Sequence, residues 1–214
     1  MSVEIVVARY DEDISWLNCY LEYDHVSVTV YNKGSEMKNI NNKITVKEIE
    51  NIGREANTYL THIVSNYNNL KDITIFIQGR IDDHIQGDKY EYINTMYEDA
   101  YNEGKSQNFT PNADVPSDFR IYDYRDFELV KFDCNFVDFF RTHINYTYPD
   151  SFNVYWCALF GVSKNNILKR SLYYYKTLLK LEDSTNSELA HFMERSWYYI
   201  FDSPNTSSNV VTSS

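Results

Sequence analysis

Arg80-Ile-Asp-Asp-His84 sets two adjacent carboxylates and an imidazole directly behind the apolar run Asp72-Ile-Thr-Ile-Phe-Ile-Gln78. At a strand end such a group can hold a hard divalent cation able to bridge a diphosphate; the plain alternative is a solvated acidic turn. In Asn51-Ile-Gly-Arg-Glu55, Gly53 permits a tight turn into a helix, and Arg54 falls where backbone N–H groups favour an anion. Arg54 could grip a phosphate with two hydrogen bonds, or it could form only an ordinary Arg/Glu helix pair. His191-Phe-Met-Glu-Arg-Ser-Trp197 spaces His191, Glu194 and Arg195 along one helix side, with Trp197 beyond Glu194. A carboxylate beside an indole suits a general base or an acceptor for a sugar hydroxyl; the alternative is an amphipathic helix with Phe192, Trp197 and Ile200 in the core. His25, His62 and His143 read as structural.

The elements that must position these groups follow from hydrophobic patterning. Residues 3–8 form a short β-branched run, as a strand buried on both faces should. Ile14, Trp16, Leu17, Tyr20 and Leu21 predict a capped amphipathic helix, and 26–31 and 44–46 predict two further strands. Ala56, Tyr59, Leu60, Ile63, Val64 and Tyr67 recur at helical spacing, and 72–78 is the strongest strand. Strands alternating with helices predict an α/β fold with a mixed, mostly parallel central sheet, whose ligands bind beyond the strands' carboxyl ends. Attention therefore falls on Arg9-Tyr10-Asp11, Tyr31-Asn32-Lys33 and Gln78 to His84.

In the second half a helix from Tyr90 stops at Gly104, and 105–118 reads as a polar loop with Pro111 and Pro116. Strands are expected at 127–132 and 152–160. A helix capped by Ser163 should run to about Leu181, and another, capped by Thr185 or Ser187, from Glu188 to Phe201. A disordered tail, or a linker to a further domain, is expected over 203–214, leaving 1–202 as one domain.

Composition excludes several classes. The 214 residues hold 31 Asp and Glu against 20 Lys and Arg, a net charge of −11, which argues against a nucleic-acid-coating surface. Six glycines make neither of the common phosphate-binding loops. Cys19, Cys134 and Cys157 are too scattered for a C-x-x-C pair or a disulfide framework, which fits a reducing, cytoplasmic setting. No apolar run approaches the ~20 residues of a membrane span, and the amino terminus lacks a signal-peptide pattern. The 16% aromatic content suits a sugar-binding groove or a packed core equally.

Val6-Val-Ala-Arg-Tyr-Asp-Glu-Asp-Ile-Ser-Trp-Leu17 resembles the opening of many GT-A glycosyltransferases. Tyr31-Asn-Lys-Gly34, Asn51 to Ile63, Phe76-Ile-Gln-Gly79 and Asp83-His84 are similar to a DUF3431-type family. Within it the resemblance is to the amino-terminal domain of multi-domain glycosyltransferases of chlorella viruses, which build capsid glycans. It is dense over 3–84 and resumes at 155–169 and 191–201.

The resemblance implies a GT-A (Rossmann-like) fold and a viral enzyme of the host cytoplasm. Its activity would be metal-assisted, retaining transfer of a glucose- or rhamnose-type hexose or deoxyhexose from a UDP-sugar to a hydroxyl of a growing glycan. Ala8, Arg9 and Tyr10 would contact base and ribose, and Arg54, Gln78 and Arg80 the donor. Asp82, Asp83 and His84 would lie at a Mn²⁺ or Mg²⁺ site, with Asp83 and Glu194 catalytic and Trp197 against sugar or acceptor. Many GT-A enzymes carry Asp-x-Asp where this chain has Gln78-Gly-Arg80, so Arg80 could itself neutralise diphosphate. Two rivals are a non-catalytic glycan-binding module and a sugar nucleotidyltransferase.

Overall fold

The computed structural model describes residues 1–102, 109–113, 115, 130–145, 147–182 and 188–201. Its elements run β1 (Val3–Arg9), a 3-10 helix (Ser15–Glu22), β2 (Val26–Asn32), β3 (Ile44–Glu48), α1 (Arg54–Asn66), β4 (Ile73–Gln78) and α2 (Lys89–Tyr101). There follow β5 (Phe109–Ala113), α3 (Phe136–Phe139) continued by a π-helical turn (Phe140–Ile144), β6 (Phe152–Tyr155), a 3-10 turn (Trp156–Ala158) and β7 (Phe160–Ser163). The chain then forms α4 (Lys164–Leu168), α5 (Leu172–Leu179), α6 (Glu188–Glu194) and α7 (Trp197–Phe201).

The central sheet has the order β3-β2-β1-β4-β7. β3, β2, β1 and β4 are parallel, and β7 runs antiparallel to β4. This is the mixed, mostly parallel α/β architecture with a Rossmann-like arrangement. Alternate residues of each strand feed opposite faces, which is why the strands read as continuous apolar runs. Val6, Tyr31 and Phe76 pack with α1, α5 and α6. Val3, Ile5, Val7, Val28, Val30, Ile75 and Ile77 pack with the first 3-10 helix and α2. On the α1 face, Tyr31 Oη meets His62 Nδ1 at 3.2 Å. Burial pushes His62 down to about 3, so this contact and its Glu4 neighbour at 3.8 Å join a neutral imidazole to the sheet.

Most of the described aromatics fill the core. Phe136, Phe139, Phe140, Phe152 and Phe192 are fully buried and pack against one another in tilted and edge-to-face contacts behind β6.

Several expected elements differ. The helix expected after Asp13 is a 3-10 helix: Ile14, Leu17 and Tyr20 are buried three apart, the repeat of that tighter spiral. The strand expected over 152–160 is two strands, because Cys157 and Ala158 have left-handed backbone (φ 59° and 53°) and carry the chain from the small β5–β6 sheet into the large one. Ser163 does cap a helix, accepting from Asn166 N–H at 3.2 Å, but that helix stops and Ser171 caps the next. In the break Arg170 donates to the carbonyls of Ile144 and Tyr199, and its own carbonyl accepts from Tyr67 Oη.

The last helix also breaks, at Arg195–Ser196, where the Ser196 hydroxyl donates back to the Phe192 carbonyl at 2.7 Å. Within the expected loop 105–118, residues 109–113 pair with β6 through an irregular register around Pro111. The strand expected at 127–132 lies largely outside the described residues, as do Gly104, Thr185, Ser187 and the tail.

Gly161 of β7 sets how closely α2 approaches. A Cβ there would lie 2.3 Å from the Met96 carbonyl oxygen and 3.1 Å from Ala100 Cβ. Gly161→Ala is therefore expected to cost about 1–3 kcal/mol of stability, measured as a lower urea midpoint at unchanged slope; an unchanged midpoint contradicts the close packing.

Candidate functional site

The chain leaves β1 for β2 and β3 on one side of the sheet and returns to β4 on the other, so the strand order reverses between β1 and β4. At that reversal the loops following the two strands diverge and leave a crevice beyond the carboxyl ends. The ladder closes with Ala8 opposite Gln78 and with Gly79 N–H donating to Ala8 O at 2.9 Å. A cleft of about 180 Å³ opens there, lined by Ala8, Arg9, Tyr10, Glu12, Lys33, Asn51, Arg54, Glu55 and Gln78. A trough of about 360 Å³ adjoins it through shared Tyr10, Glu12 and Gln78 and carries Asp11, Arg80, Asp83 and His84.

The walls are fixed by backbone that few sequences permit. Gly53 (φ 57°) and Arg54 (φ 45°) are both left-handed at the start of α1. For Arg54 this conformation costs about 1–2 kcal/mol. No side chain fits at Gly53, since a Cβ would sit 2.7 Å from both Asn57 Cβ and Glu182 Oε2. Gly34 has no room either: its Cβ would lie 1.8 Å from the Tyr10 carbonyl oxygen.

Arg9, expected to contact a nucleotide, is the brace of this end of the sheet. Its guanidinium donates to the carbonyls of Glu12 and Tyr10, both at 2.9 Å, and to Asn32 Oδ1 at 2.5 Å. Ala8 and Gln78 line the cleft, and Tyr10 presents a half-exposed ring at the cleft and trough. Arg54 is exposed on the cleft wall.

Two groups on the cleft wall, neither given a role from sequence, are strongly perturbed. Lys33 Nζ donates to the carbonyls of Ile52 and Arg54; burial pulls its pKa down to about 8, against the nearby charges of Glu55 and Glu182. Burial pushes Glu55 up to about 7. Glu194 adds to this, while the Glu55 backbone N–H, Arg54 and Lys33 oppose it. Both residues adjoined flagged positions: Lys33 closes the segment after β2, and Glu55 follows Arg54. Glu182, buried over Gly53, carried no signal at all.

Glu194 lines neither cavity. Its Oε1 accepts from Cys157 N–H at 2.6 Å and its Oε2 from Arg195 at 3.0 Å, and its charge reaches Glu55. The same turn is tied to β4 by Gln78 Nε2, which donates to Cys157 O at 2.9 Å. Burial pushes the Cys157 thiol up to about 11, with Glu194 and Glu55 adding to the effect. Trp197, expected to face the sugar, is fully buried against Tyr59, Phe160 and Phe201 and does not reach the cleft, because the apolar face of α7 turns inward.

The expected cation ligands are engaged separately. Both Asp82 oxygens accept from Lys89 at 3.2 Å, and Asp83 pairs with Arg80. Among the described residues no group of three or more His, Cys, Asp and Glu is placed to hold a metal ion. As arranged, Asp82 and Asp83 each hold a cationic side chain, so a divalent ion at Asp82, Asp83 and His84 would have to displace Lys89 and Arg80. The arrangement can instead oppose an anion with Arg54, Lys33 and Arg80 and offer a protonatable carboxyl, Glu55, beside them.

Glu55 titrates at about 4.5 in the unfolded chain and about 7 in the fold, so ionising it costs stability as pH rises from the lower value through the higher. Glu55→Gln is expected to melt about 3–6 °C above wild type at pH 8, with the gap closing below pH 4.5. Parallel melting curves at every pH would contradict the buried environment.

Among the described residues no helix is long and apolar enough to cross a membrane. No curated protein and no solved structure matches the chain. Residues 5–213 match the family described as a protein of unknown function, DUF3431, and the chain belongs to that family.

Proposed function

We propose that the protein is a GT-A-type glycosyltransferase that binds a UDP-sugar in the cleft beyond β1 and β4 and transfers its hexose or deoxyhexose to a hydroxyl of a glycan. The observation that carries this reading is the convergence of Arg54, Lys33 and Gln78 in one cleft at the strand-order reversal, with Arg80 in the adjoining trough. A pyrophosphate leaving group needs positive charge positioned in advance, and Arg54, Lys33 and Arg80 provide it in a chain of net charge −11.

The roles divide along the cleft. Tyr10 offers a ring for stacking on the base, while Ala8 keeps the floor low enough for close approach. Arg54 and Lys33 face the diphosphate, and Arg80 closes on it from the trough once it exchanges Asp83 for phosphate oxygens. No step is assigned to the Mn²⁺ or Mg²⁺ that the sequence resemblance implied, for want of converging ligands. The chlorella-virus relationship and a glycan acceptor rest on that resemblance alone. A glycan-binding module gains little from the aromatic content, because most of the described aromatic side chains are buried in the core.

A thermal-shift panel tests the reading. UDP-glucose or UDP-rhamnose at about 100 times its Kd should add about 2.7 kcal/mol, a readily visible rise in Tm. Arg54→Ala should weaken that binding about 10- to 100-fold through loss of a charge-assisted contact. A shift that needs Mn²⁺ and vanishes with EDTA would restore the metal to the site; no shift with any UDP-sugar, with or without Mn²⁺, would overturn the proposal. Pyrophosphate release from UTP would assign the site to a nucleotidyltransferase instead.

A further inference from the structure

Glu55 and Glu194 are two neighbouring carboxyls in unlike surroundings. Glu194 is locked: one oxygen takes the Cys157 N–H at 2.6 Å and the other takes Arg195, whose guanidinium also lies 5.1 Å over the Trp156 ring and donates to the His191 carbonyl. Such donors fix the position of a carboxylate. Glu55 lines the cleft at the first turn of α1, directly after the left-handed Gly53–Arg54 backbone, and the charge of Glu194 reaches it.

The charged and titratable groups around Glu55 are Glu194 at the end of α6, Arg54 on its own helix, Lys33 after β2, Glu12 on the same cleft lining, and the buried Tyr59 and half-buried Cys157, both of whose acidities its charge perturbs. Tyr59 Oη, one turn along α1, has no hydrogen-bond partner among the described residues. A carboxyl on a cleft wall whose ionisation is opposed by burial and by a neighbouring carboxylate can serve as a proton carrier.

The geometry points to Glu55 as the general base of the cleft and to Glu194 as its positioning charge. This rests on the glycosyl-transfer reading above. In the step it serves, the acceptor hydroxyl gives its proton to the Glu55 carboxylate and its oxygen bonds to the anomeric carbon. The bond from that carbon to the diphosphate breaks, and its electron pair leaves with the diphosphate. Displacement assisted in this way inverts the anomeric configuration, against the retention that the sequence resemblance implied. The base is also not the residue the sequence singled out: Glu194 acts through Glu55, and its amplifying effect requires proximity to Glu55 rather than to substrate.

UDP-glucose hydrolysis is the probe, with water as acceptor, followed by UDP release between about pH 5 and pH 9. Wild type is expected to gain rate with pH across a limb near neutrality and to release β-glucose first, as seen by ¹H NMR. Glu55→Gln should lose about 100-fold or more and flatten the limb, while its Kd for UDP-glucose stays within about threefold. Glu194→Gln should move the limb to lower pH. A Glu55→Gln variant with an unaltered limb, or α-glucose released first, overturns the role given to Glu55.

If wild type neither binds nor cleaves any UDP-sugar, the glycosyl-transfer reading itself fails and this role falls with it. The pairing is read without substrate: in carboxyl ¹³C NMR the Glu55 midpoint should fall in Glu194→Gln, and an unmoved midpoint overturns it whatever the substrate.

Discussion

β1 has a parallel partner on each side, β2 and β4, and the chain leaves those two partners in opposite directions. Everything proposed for this protein depends on that arrangement. Two parallel strands whose following loops diverge cannot cover their own carboxyl ends, so the last residues of β1 and β4 border open space. Into that space the fold delivers Lys33 from the end of β2 and the first turn of α1 from beyond β3. The distances in the cleft are thus set by sheet register, a rigid quantity, rather than by loop conformation. The cores on both sheet faces are what keep that register.

Among the described residues, three of the four non-glycine positions with left-handed backbone, Arg54, Cys157 and Ala158, lie around the crevice. Gly53–Arg54 and Cys157–Ala158 are consecutive left-handed pairs. One pair leads directly into Glu55; the other presents the Cys157 N–H to Glu194 and its carbonyl to Gln78. Strain concentrated on the groups that face a cleft is the expected cost of positioning them. Lys33 and Glu55 add a second cost, burial of charge, which is tolerable because they neutralise one another in part and because Lys33 has two carbonyls to donate to.

The sheet was legible from sequence because β1, β2 and β4 are buried on both faces and so carry uninterrupted β-branched runs. The location of the cleft follows from the strand-end rule, which points to Tyr10, Lys33 and Gln78; Arg54 is marked by its place at a helix start and Ala8 by the family resemblance, and all five line it. The second half was harder. Its helices are cut by side chains that satisfy distant backbone, Arg170 and Ser196, and periodicity within a segment carries no trace of such long-range contacts. The same blindness explains Trp197, where one face of a helix was read as a binding surface although the core required it.

Arg9 illustrates a different limit: a cation at a strand end suggests a ligand, but here carbonyls and Asn32 take all its donors that the geometry accounts for. Glu55 was overshadowed by Arg54 because nothing local distinguishes a carboxylate that will be buried beside another from one that will be solvated. That information lies in the approach of α6, more than a hundred residues along the chain.

Amide chemical-shift mapping of the ¹⁵N-labelled protein with UDP bears most directly on the claim that the strand-end crevice is where a nucleotide diphosphate sits. The shifts should gather on Ala8, Tyr10, Lys33, Arg54, Gln78 and Gly79. Shifts gathered instead on the cavity between the first 3-10 helix and α2, around Tyr20, Tyr23 and Tyr97, would show that the crevice is not the site.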